Sequence, residues 1–390
     1  MKTLNVALIG YKFMGKAHSH AWRDVCRFFD PQIVPVLKVA CGRHEERLRE
    51  FAERWGWDEI STDWGEVVRR GDIDVIDIST PTYLHHDIAI AAAKAGKHIF
   101  CEKPFAMNVA EARRMAEAAI SAGVVHYVNH NYRRCPAVAL ARQFIEAGRV
   151  GRIFHWRGAY LQSWIVDPSF PLTWHLRKET AGAGPQYDLN SHSVDLARYL
   201  VGDIRTITAM TTRFVERRPV DSGDSGKAFD AVSSASERGD VTVDDAAFML
   251  AQFENGALGS FESSRFATGR KNFNSFEIYG DRGSVAFNLE RMNELQYYSL
   301  QDDSGTQGFR TIQATEASHP YMNHWWPPGH IIGYEHTFVH AVADFLEAIA
   351  KGKPIRPDFE DGWKVMQVLE AGLESAQSGR AVAIADLAHR

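Results

Sequence analysis

The chain has 390 residues, of which 45% are hydrophobic and 24% are charged, a composition typical of globular proteins that bury a sizeable core. At about 100–200 residues per domain, this length predicts two domains. The net charge of -5 gives no indication of nucleic acid or an anionic membrane as a partner, and no apolar run reaches the roughly 20 residues of a transmembrane helix.

The cysteines and the N-terminus indicate a cellular compartment. The four cysteines form no C-x-x-C pair, and two of them lie in apolar runs, so we expect free thiols and a reducing environment. The N-terminal residues lack the long apolar region and the cleavage site of a signal peptide. A cytoplasmic protein is therefore expected.

The first third of the chain alternates between short apolar runs and helical patterns. The predicted strands cover residues 4–9, 34–41, 73–78, 98–101 and 124–128, and the predicted helices cover 14–27, 45–55, 85–95 and 109–120. Strands that alternate with helices predict a parallel sheet with helices on both faces, which is the α/β architecture of a Rossmann domain. We expect a dinucleotide-binding domain over residues 1–131.

The pattern changes after residue 131. Predicted strands follow at 153–164, 204–215, 246–253, 257–265, 275–279 and 284–287, with predicted helices at 137–147, 189–200, 335–350 and 362–376. Strands in succession predict a C-terminal α/β domain over residues 132–390, whose large, mostly antiparallel sheet is covered by helices on one face. The C-terminal helices are candidates for packing back on the first domain. Residues 216–240, rich in Ser, Gly, Asp and Arg, predict a long exposed loop.

Residues 10–15 stand between the first strand and the first helix, at the position of the dinucleotide fingerprint G-x-G-x-x-G. Gly10 permits a tight turn, and Gly15 permits close packing of the helix on the strand. The helix that opens with Phe13 and Met14 offers its first backbone amides to a pyrophosphate. Lys12 replaces the middle glycine, which adds a side chain near the phosphates and also a cation. An ordinary strand–helix turn without a ligand is the alternative.

The end of the second predicted strand bears on the choice of nucleotide. A site selective for NAD usually has an acidic residue here, which holds the ribose 2′-hydroxyl. The sequence has Gly42 followed by Arg43, and an arginine can pair with a 2′-phosphate. We therefore slightly favour NADP over NAD as the cofactor. The alternative is that Arg43 begins a solvated helix.

Two segments follow strands whose carboxyl ends would face the cofactor, because ligands of parallel sheets gather at that edge. Glu102 and Lys103 follow the strand 98–101, and a lysine there can take part in proton transfer or hold a hydroxyl. Thr80, Pro81 and His85 follow the strand 73–78 and would line the nicotinamide side. A surface lysine before a proline is the alternative for Lys103.

Asp188 and His192 lie four residues apart at a predicted helix start, so their side chains share one face. A carboxylate and an imidazole on one face can take a hydroxyl proton while a hydride leaves the same carbon. The alternatives are that Asp188 stabilises the first turn of the helix and that His192 is a core histidine.

These segments occur in an order that resembles the Gfo/Idh/MocA family, named after glucose–fructose oxidoreductase, inositol dehydrogenase and rhizopine catabolism. The resemblance covers nearly the whole chain and rests on residues 10–15, 80–85, 95–98, 102–104, 131–133 and 188–192. It implies a Rossmann domain and an α/β domain that binds substrate and forms a homodimer or homotetramer through its open sheet. It also implies that Lys103 contacts substrate and nicotinamide ribose, while Asp188 and His192 bind substrate hydroxyls and one of them is the acid–base.

Aromatic and polar side chains are expected to bind the substrate, because the chain looks most like the levoglucosan and inositol dehydrogenase branch of that family. Aromatic faces stack on the C–H surfaces of sugars, although a core or interface position is the alternative for each tryptophan. Thr82 and the stretch 184–187 depart from the usual family sequence. The candidate substrate residues are Asn131, Tyr132, Arg133, Tyr160, Trp164, Trp174, His175, His324 and Trp325.

Together these features predict an NAD(P)-dependent dehydrogenase that oxidises a ring hydroxyl of a sugar, anhydrosugar, glycoside or cyclic polyol to a ketone, or catalyses the reverse reduction. NAD-assisted glycoside cleavage without net redox is the first alternative. A non-enzymatic nucleotide sensor is the second, although it would require loss of Lys103, Asp188 and His192, which are all present. The histidine pairs complete no ligand set with acidic or thiol side chains, so no metal is expected.

Overall fold

A computed structural model describes residues 2–220 and 237–387. The chain forms two compact units, one of Met1–Arg134 with Ile332–Met366 and one of Cys135–Ile331 with Gln367–Arg390. The predicted boundary lay between residues 131 and 132, whereas the first unit runs on to Arg134. The first unit also includes a late segment of the chain, so part of the C-terminal helical region folds with the N-terminal residues.

The strands and helices of the described residues are numbered along the chain. The strands are β1 Lys2–Ile9, β2 Ile33–Cys41, β3 Glu59–Ser61, β4 Val75–Ile78, β5 His98–Cys101, β6 His126–Val128, β7 Ile153–Leu161, β8 Ile204–Thr212, β9 Arg217–Pro219, β10 Arg238–Asp240, β11 Ala246–Phe253, β12 Leu258–Ser264, β13 Phe273–Gly280, β14 Gly283–Asn288, β15 Glu294–Ser299, β16 Arg310–Gln313 and β17 Val382–Ala383. The helices are α1 Phe13–Phe28, α2 Glu45–Trp55, α3 Trp64–Arg69, α4 His85–Lys94, α5 Val109–Ala122, α6 Pro136–Glu146, α7 Lys178–Ala181, α8 Pro185–Asp188, α9 Asn190–Leu200, α10 His336–Lys351 and α11 Phe359–Ser378.

The sheet of the first unit is parallel, with the strand order β3-β2-β1-β4-β5-β6. Parallel strands are buried on both faces, and β4 is buried along its whole length in spite of Asp77. The order reverses between β1 and β4, and such sheets bind ligands beyond their carboxyl ends at this switch point. The turns after β1, β4 and β5 therefore lie at the ligand-binding edge, and the predicted Rossmann architecture is confirmed.

The large sheet of the second unit has the order β16-β15-β14-β13-β7-β12-β11-β8-β17. Its pairs are antiparallel except for β7 with β12, which run parallel. Buried and exposed residues alternate along β11, and Phe248 and Leu250 point to the exposed face. The prediction of a large, mostly antiparallel sheet with one open face is confirmed.

The predicted exposed loop over residues 216–240 is wrong at its two ends. Strands β9 and β10 pair there as an antiparallel ladder, while residues 221–236 lie outside the described part of the chain. The side chain of Arg218 is fully buried and donates hydrogen bonds to the backbone carbonyls of Ile165 and Asp167. These bonds anchor β9 to the body of the second unit.

Among the described residues, no helix is both long and apolar enough to cross a membrane.

Candidate active site

The turn after β1 has the backbone geometry of a nucleotide-binding loop. Gly10 has a φ of +108°, and a Cβ there would lie 2.5 Å from the carbonyl oxygen of Ser79. A Cβ at Gly15 would lie 2.3 Å from the carbonyl oxygen of Gly10, so α1 can approach the turn closely because this residue is glycine. Among the described residues, no side chain caps the first amides of α1, which suits a phosphate group. The residues that open the helix, Lys12, Phe13 and Met14, are exposed or half-buried.

The ring of Tyr11 explains the glycine at the end of β2. A Cβ at Gly42 would lie 2.3 Å from Tyr11 Cδ1, so a larger residue fits at this position only if the ring moves. The same ring packs on Phe51, with 5.9 Å between the ring centres. Arg43 follows with an exposed side chain. Sequence reasoning identified the missing acidic residue but not the tyrosine that accounts for it.

His85 joins two loops at the ligand-binding edge. Its Nε2 lies 2.9 Å from the carbonyl oxygen of Thr80, and its Nδ1 lies 3.3 Å from that of Phe105. Burial lowers the pKa of His85, so the neutral ring donates one of these two hydrogen bonds. The half-buried Pro81 lies in the first of the two loops. The hydroxyl of Thr80 is buried and has no hydrogen-bond partner among the described residues, which a bound ligand could supply.

Glu102 is the centre of a buried network that the sequence did not reveal. His18 Nδ1 lies 2.8 Å from Asp77 Oδ1, and His18 Nε2 lies 2.8 Å from Glu102 Oε1. Asn129 Nδ2 donates to the same Glu102 oxygen at 2.6 Å. The other carboxylate oxygen, Oε2, accepts the backbone N–H of Lys103 at 3.1 Å. The network thus links α1 and β4 to the turn that carries the candidate catalytic lysine.

The hydrogen bonds of this network require a charged histidine. A neutral imidazole has one N–H, whereas both ring nitrogens of His18 face carboxylate oxygens. Burial alone would lower the pKa of His18, but the charge of Asp77 and the hydrogen bonds to Asp77 and Glu102 raise it to about 10. Burial alone would raise the pKa of Glu102, but His18, followed by the charge of Lys103, holds it below its usual range.

Residues 131–133, which are candidates for substrate binding, are buried in the first unit. Asn131 Nδ2 donates to Thr337 Oγ1 at 2.8 Å. The ring of Tyr132 lies 6.4 Å from that of Tyr334, which also stacks on Phe13 of the glycine turn at 6.5 Å. The late segment of the first unit therefore reaches the nucleotide turn, a feature that sequence reasoning missed.

Asp188 is the last residue of α8, a short helix whose start is tightly defined. Asp244 accepts hydrogen bonds from the backbone amides of Gly184 at 2.7 Å and Gln186 at 2.9 Å. A Cβ at Gly184 would lie 1.9 Å from the carbonyl oxygen of Asp244. Pro185 occupies the first helical position, where no backbone amide is needed. The unusual stretch at 184–186 thus sets the direction of α8 and the position of Asp188.

One charged pair holds the candidate carboxylate. Arg265 follows β12 and donates from Nη2 to Asp188 Oδ2 at 2.8 Å. Its guanidinium carbon lies 5.2 Å from the ring centre of Trp164. Trp164 Nε1 in turn donates to Gln162 Oε1 at 2.7 Å. Arg265 therefore contacts both the candidate carboxylate, Asp188, and a candidate aromatic residue for the substrate, Trp164.

The remaining contacts lead from Gln162 to His192. Gln162 Nε2 and the Tyr160 hydroxyl both donate to Asn272 Oδ1, at 2.9 and 2.7 Å. The ring of Tyr160 lies 5.8 Å from that of His192. His192 lies in α9, which begins two residues after Asp188 ends α8. The contacts described above therefore connect side chains of these two neighbouring helices. We call this set the Asp188 cluster, and its members are Asp188, His192, Tyr160, Gln162, Trp164, Arg265 and Asn272.

The other candidates differ in their relation to the Asp188 cluster. The ring of His175 lies 6.0 Å from that of Trp164 and stacks on Trp174 at 3.8 Å. His324 is half-buried and ends the short 3-10 helix Met322–His324.

Within residues 2–220 and 237–387, no group of three or more His, Cys, Asp or Glu side chains is arranged to hold a metal ion.

Comparison with known proteins shows the family. Residues 4–130 match the oxidoreductase family with an NAD-binding Rossmann fold, and residues 138–286 match the GFO/IDH/MocA C-terminal domain. The chain belongs to the Gfo/Idh/MocA family. The predicted family membership and oxidoreductase class are confirmed, and the first unit of this Gfo/Idh/MocA protein is a domain for an NAD(P)-type cofactor.

Several relatives of this Gfo/Idh/MocA protein match it over nearly its whole length. The levoglucosan dehydrogenase of Pseudarthrobacter phenanthrenivorans is 44% identical, with 96% of this chain and 97% of the relative covered. A structure of levoglucosan dehydrogenase in complex with NADH and levoglucosan is 42% identical, with a TM-score of 0.92 and coverage of 98% and 99%. An oxidoreductase domain protein from Kribbella flavida is 48% identical, with a TM-score of 0.93 and coverage of 98% and 100%.

Proposed function

We propose that this Gfo/Idh/MocA protein is an NAD(P)-dependent dehydrogenase that oxidises a ring hydroxyl of a sugar, anhydrosugar, glycoside or cyclic polyol to a ketone, or catalyses the reverse reduction. The observation that carries the proposal is the Asp188 cluster, which combines a carboxylate and an imidazole with aromatic and amide side chains. Such a set suits the alternating hydroxyl and C–H surfaces of a sugar ring. Similarity to levoglucosan dehydrogenase supports an anhydrosugar as the first substrate to test.

Three side chains are proposed to control the hydroxyl and its proton. When bound, the nicotinamide supplies the hydride acceptor for oxidation. Asp188 or His192 accepts the hydroxyl proton, and the ammonium group of Lys103 donates a hydrogen bond to the same oxygen. In the reverse direction the same groups return the proton to the alkoxide.

The proposed function is tested with a panel of levoglucosan, inositols, simple sugars and glycosides, each assayed with NAD⁺ and with NADP⁺. At least one ring alcohol should give stoichiometric NAD(P)H, because oxidation of the carbon transfers a hydride to the nicotinamide. The measurement is NAD(P)H absorbance together with product analysis. Release of a cleaved glycoside without net NAD(P)H would instead favour the redox-neutral alternative. Nucleotide binding without turnover of any compound would contradict the proposed function.

For the choice of nucleotide we propose a preference for NADP⁺ over NAD⁺. The end of β2 has no carboxylate to repel a 2′-phosphate. The Tyr11 ring would have to move before position 42 could hold one, and the exposed Arg43 is suited to pair with the phosphate. The ratio of kcat/KM with NADP⁺ to that with NAD⁺ should exceed unity and should fall in the Arg43→Ala variant. A preference for NAD⁺ would contradict this, and NADH is the nucleotide in the levoglucosan dehydrogenase complexes.

We propose that the open face of the large sheet forms a homodimer or homotetramer. Large side chains from adjacent strands are exposed there, including Met210 at 76% and Leu250 at 65%, and Met210 lies opposite Phe248 in the ladder of β8 and β11. Contiguous apolar patches of this kind mark interfaces. Light scattering should show two or four chains, and fewer for the Phe248→Glu/Leu250→Glu variant. Ile120→Glu, a control at an exposed apolar residue of α5, should keep the mass, and a monomeric wild type would contradict the proposal.

We retain the cytoplasm as the proposed location. All four cysteines are free thiols in the structure, and three of them are buried. Free thiols are typical of reducing compartments. Burial raises the pKa of the Cys41 thiol to about 12, so this thiol stays protonated and unreactive.

A further inference from the structure

We propose that Arg265 is a positioning residue that holds the candidate site residue Asp188 as an oriented carboxylate. This inference rests on the proposed function and deepens it, because it names a buried residue that controls the carboxylate of the candidate site.

The first observation is the burial of the pair. The side chain of Arg265 is 1% exposed and that of Asp188 is 25% exposed. A guanidinium group stays charged in proteins, so a permanent cation lies 2.8 Å from Asp188 Oδ2. A neighbouring cation favours the ionised form of a carboxyl group, and low solvent exposure strengthens the attraction.

The second observation is that the arginine has little freedom to move. Its backbone N–H donates to the carbonyl oxygen of Asp245 at 3.2 Å. Its guanidinium lies over the Trp164 ring, and Nη1 is 3.4 Å from the carbonyl oxygen of His175. Arg265 also continues the buried face of β12, on which Phe261 and Ser263 precede it. The sheet therefore fixes the position of the cation, and the cation fixes the position of Asp188.

The third observation concerns the other acidic groups near this arginine. The carboxylate of Asp244 accepts two backbone amide hydrogen bonds that start α8, and that of Asp245 accepts two others. Burial raises the pKa of Asp244, although its hydrogen bonds from the amides of Gln186 and Gly184 and, after them, the charge of Arg265 oppose the increase. Among these carboxylates, Asp188 is the one that accepts the charged hydrogen bond of Arg265.

A carboxylate stabilised in this way is a strong hydrogen-bond acceptor and a poor proton acceptor. Asp188 then orients the bound hydroxyl group as a hydrogen-bond acceptor. The oxidation balances, since the carbon loses a hydride to the nicotinamide and the hydroxyl loses a proton to the acid–base group of the proposed function.

The test compares Arg265→Met and Arg265→Lys with the wild type on the best substrate of the panel. Arg265→Met should lower kcat/KM about 10–100-fold, the range expected when a hydrogen bond to a charged group is lost. It should also move the acidic limb of the pH profile of kcat/KM to higher pH, because an unpaired carboxylate binds a proton more readily. Arg265→Lys should recover part of both losses, and NAD(P)H binding should be unchanged in all variants.

Arg218→Met is the matched control, because Arg218 is equally buried in the same unit but donates to backbone carbonyls. It should lower the melting temperature and leave the acidic limb in place. The inference is overturned if Arg265→Met retains wild-type kcat/KM and pH profile. If that variant does not fold, the same result with Arg265→Gln, which also removes the charge but keeps a polar side chain, overturns it.

A double-mutant cycle in urea unfolding separates this inference from the proposed function. Asp188→Asn and Arg265→Met should be non-additive in the free energy of unfolding, because each removes the same interaction. Additive effects overturn the inference even if no panel substrate is oxidised. A wild type without turnover overturns the proposed function alone.

Discussion

Lys103→Met is expected to lower kcat by about 10²–10⁴-fold, the usual contribution of a group that assists proton transfer. Methionine keeps the length and the apolar stem of lysine but removes the ammonium group that is proposed to hold the reacting oxygen. The backbone N–H of residue 103 would still donate to Glu102 Oε2, so the turn should keep its shape. Steady-state kinetics on the best panel substrate gives kcat, and fluorescence titration with NAD(P)H should show that binding is retained.

Lys97→Met is the matched control for this variant. Lys97 lies in the same unit and is buried, and its Nζ donates to the backbone carbonyls of Arg70 and Ile73 at 2.7 Å. Loss of these bonds should lower the melting temperature without the loss of kcat. Full activity of Lys103→Met would contradict the catalytic assignment, and so would an equal loss of kcat in the two variants.

The elements of the first unit were predictable where a periodic pattern is long enough to be recognised. Strand β5 has its predicted bounds, 98–101, and the predicted helix at 45–55 corresponds to α2. Strand β3 has three residues and α3 has six, so neither is long enough to repeat its pattern over two full periods. Strand β9 was missed because its burial depends on Arg218, whose carbonyl partners lie about 50 residues earlier in the chain.

The site was predictable where its residues are close in sequence. Asp188 and His192 share one short segment, whereas Arg265 lies 77 residues from Asp188 and is brought to it by the sheet. The alternation at 261, 263 and 265 did place an arginine on a buried face, which is a signal that it needs a partner. Asp77 carries the same signal, because it is an acidic residue in a buried strand, but its partner His18 lies 59 residues earlier in the chain.

Disruption of the buried network around Glu102 is expected to cause a large loss of stability. His18→Leu should destabilise the protein by about 3–5 kcal/mol, because removal of one partner leaves buried charges uncompensated. Asp77 and Glu102 are less than 5% exposed, so solvent cannot replace the imidazolium. The melting temperature should fall by about 6–20 °C. Adding Asp77→Asn and Glu102→Gln to this variant should restore part of the loss, since no charge then remains buried.

The effect of pH distinguishes the loss of this charge from a simple packing defect. The pKa of His18 is raised from about 6.5 to about 10 in the folded protein, so its contribution to stability is complete below pH 6.5 and is lost as the pH rises through 10. The wild type should therefore lose stability between pH 7 and 10 more steeply than His18→Leu, and the difference in melting temperature between them should narrow. His20→Leu is the control on the same helix, because the half-exposed His20 pairs with Asp24 and such pairs contribute about 0–1 kcal/mol. A constant difference between wild type and His18→Leu across this range would show that His18 stabilises the unit by packing and not as a cation.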